Sequence, residues 1–179
     1  MNIPNLLSLF RLVLVPAFVA VFFGGNPNAR YWSAGIYALA FLTDIADGWI
    51  ARHFNQVTKL GRILDPLADK LMAFTVLICI EIAGIIPLWP VIIFLAKELC
   101  MGIGALVLYH TVDDVIPANI WGKVSTGFFF ISCGALVLFP QIPSLWANRL
   151  MLVAMGLTLY ALLNYTVIYI KMKRQQKDS

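Results

Sequence analysis

Four aspartates stand at helical spacing inside otherwise apolar sequence: Asp44 and Asp47 three residues apart, Asp65 and Asp69 four apart. Ala51 continues the first series at i+7 and Gly61 begins the second one turn earlier, so each set runs along one helix face. Such carboxylates need compensation, because an acidic residue at the centre of a membrane-spanning helix costs roughly 3 kcal/mol and four would cost on the order of 12. Clustered carboxylates also repel one another unless cations sit among them. An all-oxygen donor set suits Mg²⁺ or Mn²⁺ far better than zinc, and two facing acidic stripes imply a pair of metal ions held by Asp44, Asp47, Asp65 and Asp69. Gly48, Ala51 and Gly61 are small where two backbones, or a ligand, have to come close. The plainer alternative is an ion-paired network that only ties helices together, for which basic partners at the right depth are too few.

The elements that position these residues follow from composition. A chain of 179 residues that is 61% hydrophobic and 12% charged, with a mean hydropathy of +0.85, is not a soluble protein. It reads as an all-α integral membrane protein, one membrane domain over residues 1–179 with no separate soluble part. Six apolar segments have the roughly 20 residues each that a bilayer requires, at about 4–24, 31–53, 60–84, 87–109, 120–139 and 146–170. Turn chemistry divides them: Gly24 to Asn28, the polar stretch from Arg52 to Lys59, Gly84 to Pro87, Asp113 to Pro117 and Pro140 to Ser144. The first segment is expected to be a retained span rather than a cleaved leader, since Arg11 is its only nearby positive charge and no small-residue cleavage pattern follows.

Lysine and arginine set the orientation. With both termini cytoplasmic, Arg52, Lys59, Arg62, Lys123 and the tail residues Lys171, Lys173, Arg174 and Lys177 fall inside, and only Arg30 and Arg149 outside. Trp32, Trp89 and Trp146 then mark the outer interface, and Trp49, Trp121 and Tyr169 the inner one. The net charge of +4 comes largely from the tail, so it speaks of topology and not of nucleic acid. Cys79, Cys100 and Cys133 are isolated in apolar runs and read as buried, inert thiols.

Other polar residues carry two readings each. Arg52 is a positive-inside anchor or a clamp on a pyrophosphate. Lys97 and Glu98, in mid-span, pair structurally or mark a functional site. Lys123 snorkels to the interface or contacts a phosphate. Asn5 caps the first helix. His53 and His110 have no ligand-spaced partner and read as interfacial residues. Gly102 and Gly104 follow no strand and form no phosphate loop; with Ala105 they are expected to give a close packing face or room for an acyl chain.

The pattern Asp44-x2-Asp47-Gly48-x2-Ala51-Arg52-x8-Gly61-x3-Asp65-x3-Asp69 resembles the signature of the CDP-alcohol phosphatidyltransferases, with every fixed position filled. The resemblance implies a six-helix, multi-pass enzyme of the cell membrane with its active site facing the cytoplasm. Such an enzyme transfers a phosphatidyl group from CDP-diacylglycerol to an alcohol and releases CMP. It further implies a homodimer among membrane lipids, Asp69 as general base, and a donor pocket involving Gly48, Ala51, Arg52 and Gly61 and bordered by Asn5 and Arg11. Asp65-Pro66-Leu67-Ala68-Asp69-Lys70 and Asn2-Ile3-Pro4-Asn5-Leu6-Leu7 are similar to the phosphatidylglycerophosphate synthase and cardiolipin synthase branches. The first branch carries an Arg-Glu pair in the fourth helix and Gly-Lys-x-Lys-Thr at the start of the fifth. This chain has Lys97-Glu98 and Gly122-Lys123-Val124-Ser125-Thr126. Lys97, Lys123 and Ser125 thus become the expected acceptor residues, with glycerol 3-phosphate first and phosphatidylglycerol as the alternative. A cation-coupled transporter is a distant alternative, because intramembrane acids also mark ion pathways, but repeated halves and broken helices are not visible and it gives no reason for Arg52 and Gly61.

Overall fold

Apolar runs divided by turn residues fold into six α-helices: α1 Ile3–Phe22, α2 Ala29–His53, α3 Gly61–Ile82, α4 Trp89–Tyr109, α5 Ile120–Leu138 and α6 Ser144–Lys177. The computed structural model describes residues 3–53, 61–109 and 120–177, with side chains described throughout except at 3, 51, 52, 62, 63, 105–109 and 168–177. No strand occurs among the described residues. The ends are chemically marked. After α1 the Asn26 side chain accepts from the Asn28 backbone N–H at 2.9 Å, an Asx turn that aims the chain into α2. After α3 Gly84 takes φ +70°, the Gly84 N–H donates to the Glu81 carbonyl at 2.8 Å and the Ile85 N–H to that of Ile80 at 3.0 Å. That pair of bonds is a Schellman cap, and Pro87 prevents the helix from resuming.

Among the described residues three helices are long and apolar enough to cross a membrane, within α1 (Pro4–Phe22), α5 (Ile120–Leu138) and α6 (Ser144–Val167). The acidic stripes lie on α2 and α3. Leu6, Val13, Ile131, Leu152 and Leu163 project outward, where an apolar solvent suits them. Helices in lipid gain nothing from hiding apolar surface, so close packing and buried polar contacts must hold them together.

The chain forms two compact units. The first comprises Met1–Ile85 and Cys133–Ile142; in it α2 and α3 both pack extensively on α1 and touch each other little. Its interior is filled by Phe18, stacked on Phe22 at 5.5 Å and tilted against Tyr37 at 6.3 Å, with Ala68, Val76, Leu77 and Ile80. The second comprises Ile86–Ser132 and Pro143–Ser179, where α4 packs on α6. Ala147, Met151, Ala154, Thr158 and Ala161 are all buried along α6 at alternating steps of four and three, the 3.5-residue period of a coiled-coil seam. Phe94 of α4 stacks on Phe129 of α5 at 5.3 Å, and the Trp89 indole donates to Asn148 Oδ1 at 2.9 Å. A Cβ on Gly122 would meet the Tyr165 hydroxyl at 2.9 Å, so the Tyr165 side chain of α6 reaches α5 at a point where residue 122 has no side chain.

Two expectations are corrected, and of the two readings of Gly102 and Gly104 only the open one is kept. Cys79 and Cys133 are buried but Cys100 is exposed, because it shares the outward face of α4 with Leu99 and Ile103. A Cβ on Gly102 or Gly104 would meet nothing within 4 Å, so these glycines make no close helix contact within the described residues and leave open space. The sixth helix continues past residue 170 to Lys177, since a helix need not stop at the bilayer edge when its continuation is polar.

Candidate active site

The four aspartates converge because their helices run up, down and up with the acidic turns at corresponding ends. Arg11 lies about 12 Å along α1 from its start, Asp47 about 9 Å before the end of α2, and Asp65 about 6 Å into α3, at 1.5 Å per residue. Between the carboxylates sits the Arg11 guanidinium, which is 1% exposed. Its Nη1 pairs with Asp44 Oδ1 at 3.1 Å and with Asp69 Oδ1. Its Nη2 pairs with Asp65 Oδ1 at 3.3 Å and with Asp47 Oδ2. Each terminal nitrogen therefore takes one carboxylate from α2 and one from α3, and α1 joins two helices that touch little by themselves. Fixed planar donors make arginine suited to this fork.

The cluster has a floor and a mouth. Asp47 is 1% exposed, whereas Asp44, Asp65 and Asp69 are 34%, 38% and 43% exposed. At the floor, Asp47 Oδ1 is buried with no hydrogen-bond partner among the described residues, a costly state for a carboxylate oxygen. One oxygen each from Asp44, Asp47 and Asp65 lie within 4.8 Å of one another. One guanidinium against four carboxylates leaves three negative charges in excess if all are ionised. The hard, all-oxygen donor set and the orphaned Asp47 oxygen both fit a divalent cation. The Arg11 pairing also alters the expected balance: among the described residues one basic partner does reach the cluster, although one cannot neutralise four acids.

Ser8 belongs to the same site and was not among the residues singled out by sequence. It is 1% exposed, its hydroxyl donates to the Pro4 carbonyl at 3.0 Å, and Asp65 Oδ1 lies 3.5 Å from it. Asn5 is 5% exposed on the same helix. Asn5, Ser8 and Arg11 recur every three residues as a buried polar stripe on an apolar helix, and that periodicity was the signal available to find Ser8.

The remaining expected residues are distributed as follows. Gly48 follows Asp47 on α2, and Gly61 opens α3 one turn before Asp65. Ala51 and Arg52 lie on the last turn of α2, but their side chains fall outside the described set, as do Lys59 and His110. His53 is exposed and stacks on Trp49 at 4.9 Å with ring planes 8° apart. Lys97, Lys123 and Ser125 belong to the second unit. Lys97 is ion-paired with Glu98 on the same helix and lies 5.5 Å from the Phe94 ring. Lys123 is exposed, and the buried Ser125 hydroxyl donates to the Gly122 carbonyl at 2.9 Å.

The family model described as CDP-alcohol phosphatidyltransferase matches residues 1–162. A Mycobacterium tuberculosis protein with a cardiolipin synthase name is 34% identical over 151 residues, 84% of this chain and 71% of that one. The Bacillus subtilis protein named CDP-diacylglycerol--glycerol-3-phosphate 3-phosphatidyltransferase is 34% identical over 149 residues, 76% of this chain and 77% of that one. The Streptomyces coelicolor protein named cardiolipin synthase (CMP-forming) is 35% identical over 130 residues, 70% of this chain and 60% of that one.

Proposed function

The chain belongs to the CDP-alcohol phosphatidyltransferase family, a family of membrane-integral enzymes of phospholipid biosynthesis, and from that premise we propose a donor, an acceptor and roles for individual residues. The donor is CDP-diacylglycerol and the acceptor is glycerol 3-phosphate, giving phosphatidylglycerophosphate and CMP. The observation that carries the reading is the gathering of Asp44, Asp47 and Asp65 oxygens within 4.8 Å of one another, on the spacing that the family match covers.

Asp44, Asp47, Asp65 and Asp69 would hold two divalent ions, Mg²⁺ or Mn²⁺. Bound there, such ions would offset the charge of the donor pyrophosphate and of the departing CMP. Gly48, Ala51 and Gly61 give the donor room to approach the carboxylates, and Arg52 clamps its phosphates from the end of α2. Asn5, on the buried stripe of α1, borders the same pocket. Asp69 accepts the proton of the acceptor hydroxyl as that oxygen attacks the lipid-side phosphorus. One P–O bond forms to the acceptor, the P–O bond to CMP breaks, and CMP leaves with the bonding electrons. The exposure of Asp69 at the mouth supports this role over the sealed Asp47. No covalent phospho-enzyme is invoked, because none of the motif's fixed positions is a Ser, His or Cys.

Lys97 and Lys123 supply two positive charges for the phosphate of glycerol 3-phosphate through charge-assisted hydrogen bonds, and Ser125 of α5 is the third acceptor residue. The alternative acceptor is phosphatidylglycerol, giving cardiolipin. It is favoured by Ser125 standing where a second lysine would add charge, and by the cardiolipin synthase names among the relatives. The enzyme works as a homodimer in the cell membrane, with both termini and the carboxylate cluster on the cytoplasmic side, where a nucleotide-bearing donor is presented.

The test supplies purified enzyme with labelled CDP-diacylglycerol and each acceptor in turn, and identifies the lipid product. Phosphatidylglycerophosphate is expected, with CMP release abolished by chelation and restored by Mg²⁺ or Mn²⁺. Full activity after exhaustive chelation would refute the metal assignment. In the same assay Lys123→Ala should raise the apparent KM for glycerol 3-phosphate by about tenfold, the worth of one charged contact of 1.4 kcal/mol, and that for the donor far less. Cardiolipin formed from phosphatidylglycerol, with no product from glycerol 3-phosphate, would reverse the acceptor ranking and leave the catalytic assignment standing.

A further inference from the structure

The buried Arg11 pairs with four carboxylates, and it engages the oxygens that a metal would use. Asp44 Oδ1, Asp47 Oδ2, Asp65 Oδ1 and Asp69 Oδ1 all face its two terminal nitrogens. A cation bound by the same carboxylates must share these oxygens with the guanidinium or move it. Two cations in one cluster also repel, and in a site screened from water that repulsion is larger than on a surface. Without a cation of its own, however, the cluster would be four acids in a bundle of three helices, two of which touch little. Arg11 meets that need from α1.

We infer that Arg11 is a resident counter-ion of the carboxylate cluster, holding α2 and α3 to α1, and that divalent ions bind only by displacing its guanidinium from the carboxylates. The inference rests on the reading that these carboxylates hold divalent ions, and it makes Arg11 a positioning residue that sets their affinity. The buried Asp47 Oδ1, which makes no hydrogen bond among the described residues, is the oxygen available for the first contact with an incoming ion. Displacement then proceeds toward the mouth, where Asp44, Asp65 and Asp69 are partly exposed. Arg11 therefore trades metal affinity for the integrity of the cluster when metal is scarce.

The test is metal binding, read without substrate. Full-length protein is purified in lipid nanodiscs, stripped with chelator and titrated with Mn²⁺, free Mn²⁺ being followed by electron paramagnetic resonance. Arg11→Gln removes the competing charge and should bind Mn²⁺ about tenfold or more tightly, a 1.4 kcal/mol effect, with Arg11→Lys between it and the wild type. The metal-free Arg11→Gln protein should also melt at a lower temperature than the wild type and gain more from saturating Mn²⁺, as ligand linkage requires. Equal or weaker Mn²⁺ binding by Arg11→Gln would overturn the inference, since Arg11 would then be assembling the ligands and not competing for them. Should that variant fail to fold, wild-type protein labelled with ¹⁵N-arginine decides. Saturating Mg²⁺ should shift the Arg11 guanidinium resonances, and unchanged resonances would refute displacement. Wild-type protein that takes up no Mn²⁺ would remove the metal reading and this inference together, whereas uptake with no gain in Arg11→Gln removes only this one.

Discussion

Asp47 and Asp69 share a cluster but not an environment, so their amides should behave differently. Asp47 lies at the sealed floor with one oxygen unbonded, while Asp69 is 43% exposed at the mouth. Asp47→Asn puts an amide where a charge was matched to Arg11, and is expected to lower Mn²⁺ affinity by at least about tenfold. Asp69→Asn is expected to cut turnover by about 10² or more, the usual worth of a general base, with a smaller change in metal affinity. Turnover measured at saturating metal separates the two, and equal, small effects would make the cluster structural. At this scale the acidic stripes were legible because a 3.6-residue period is written in local spacing. The partner of those stripes was not, because Arg11 and Asp69 stand 58 residues apart and only tertiary packing brings them together. Sequence reading set Arg11 beside the donor pocket by resemblance; its contacts with all four carboxylates could not be read from a lone arginine on an apolar helix.

At the scale of the helix, the seam of α6 makes its own prediction. Ala154 is completely buried within the 3.5-residue repeat of the buried face of α6. Ala154→Leu overfills it and should destabilise the protein by about 1–3 kcal/mol. Leu152→Ala, on the exposed face, should change stability by less than about 0.5 kcal/mol. Reversible unfolding in mixed micelles measures both. The number and order of helices were legible from apolar runs and the glycine and proline turns between them, and the ends agree to within a few residues save at α6. What escaped was which face of a helix meets another helix. Where nearly every residue is apolar, burial and lipid exposure look alike in composition, so Cys100 and the open side of Gly102 and Gly104 had no signature.

For the whole molecule the orientation rests on charge, and it is testable without activity. Arg30 lies over the Phe22 ring at 4.3 Å and Arg149 over Trp146 at 5.1 Å. These are the two arginines expected outside, each held by an aromatic ring, while the basic tail forms the end of α6. A green fluorescent reporter fused after residue 179 should fluoresce and an alkaline phosphatase reporter there should be inactive in intact cells; the opposite pair of results would invert the topology. The ion pairs of Arg11 have a further consequence, for the order of biogenesis. Helix α1 leaves the ribosome before α2 and α3, carrying a cation whose partners are not yet made, and α2 then brings only half of them. A solitary charge at mid-membrane is penalised by roughly 3 kcal/mol, so neither α1 alone nor α1 with α2 is a comfortable resting state in the bilayer. The shortest nascent segment in which all five charges have met ends after Asp69, which makes the hand-over from the translocon to lipid a three-helix event.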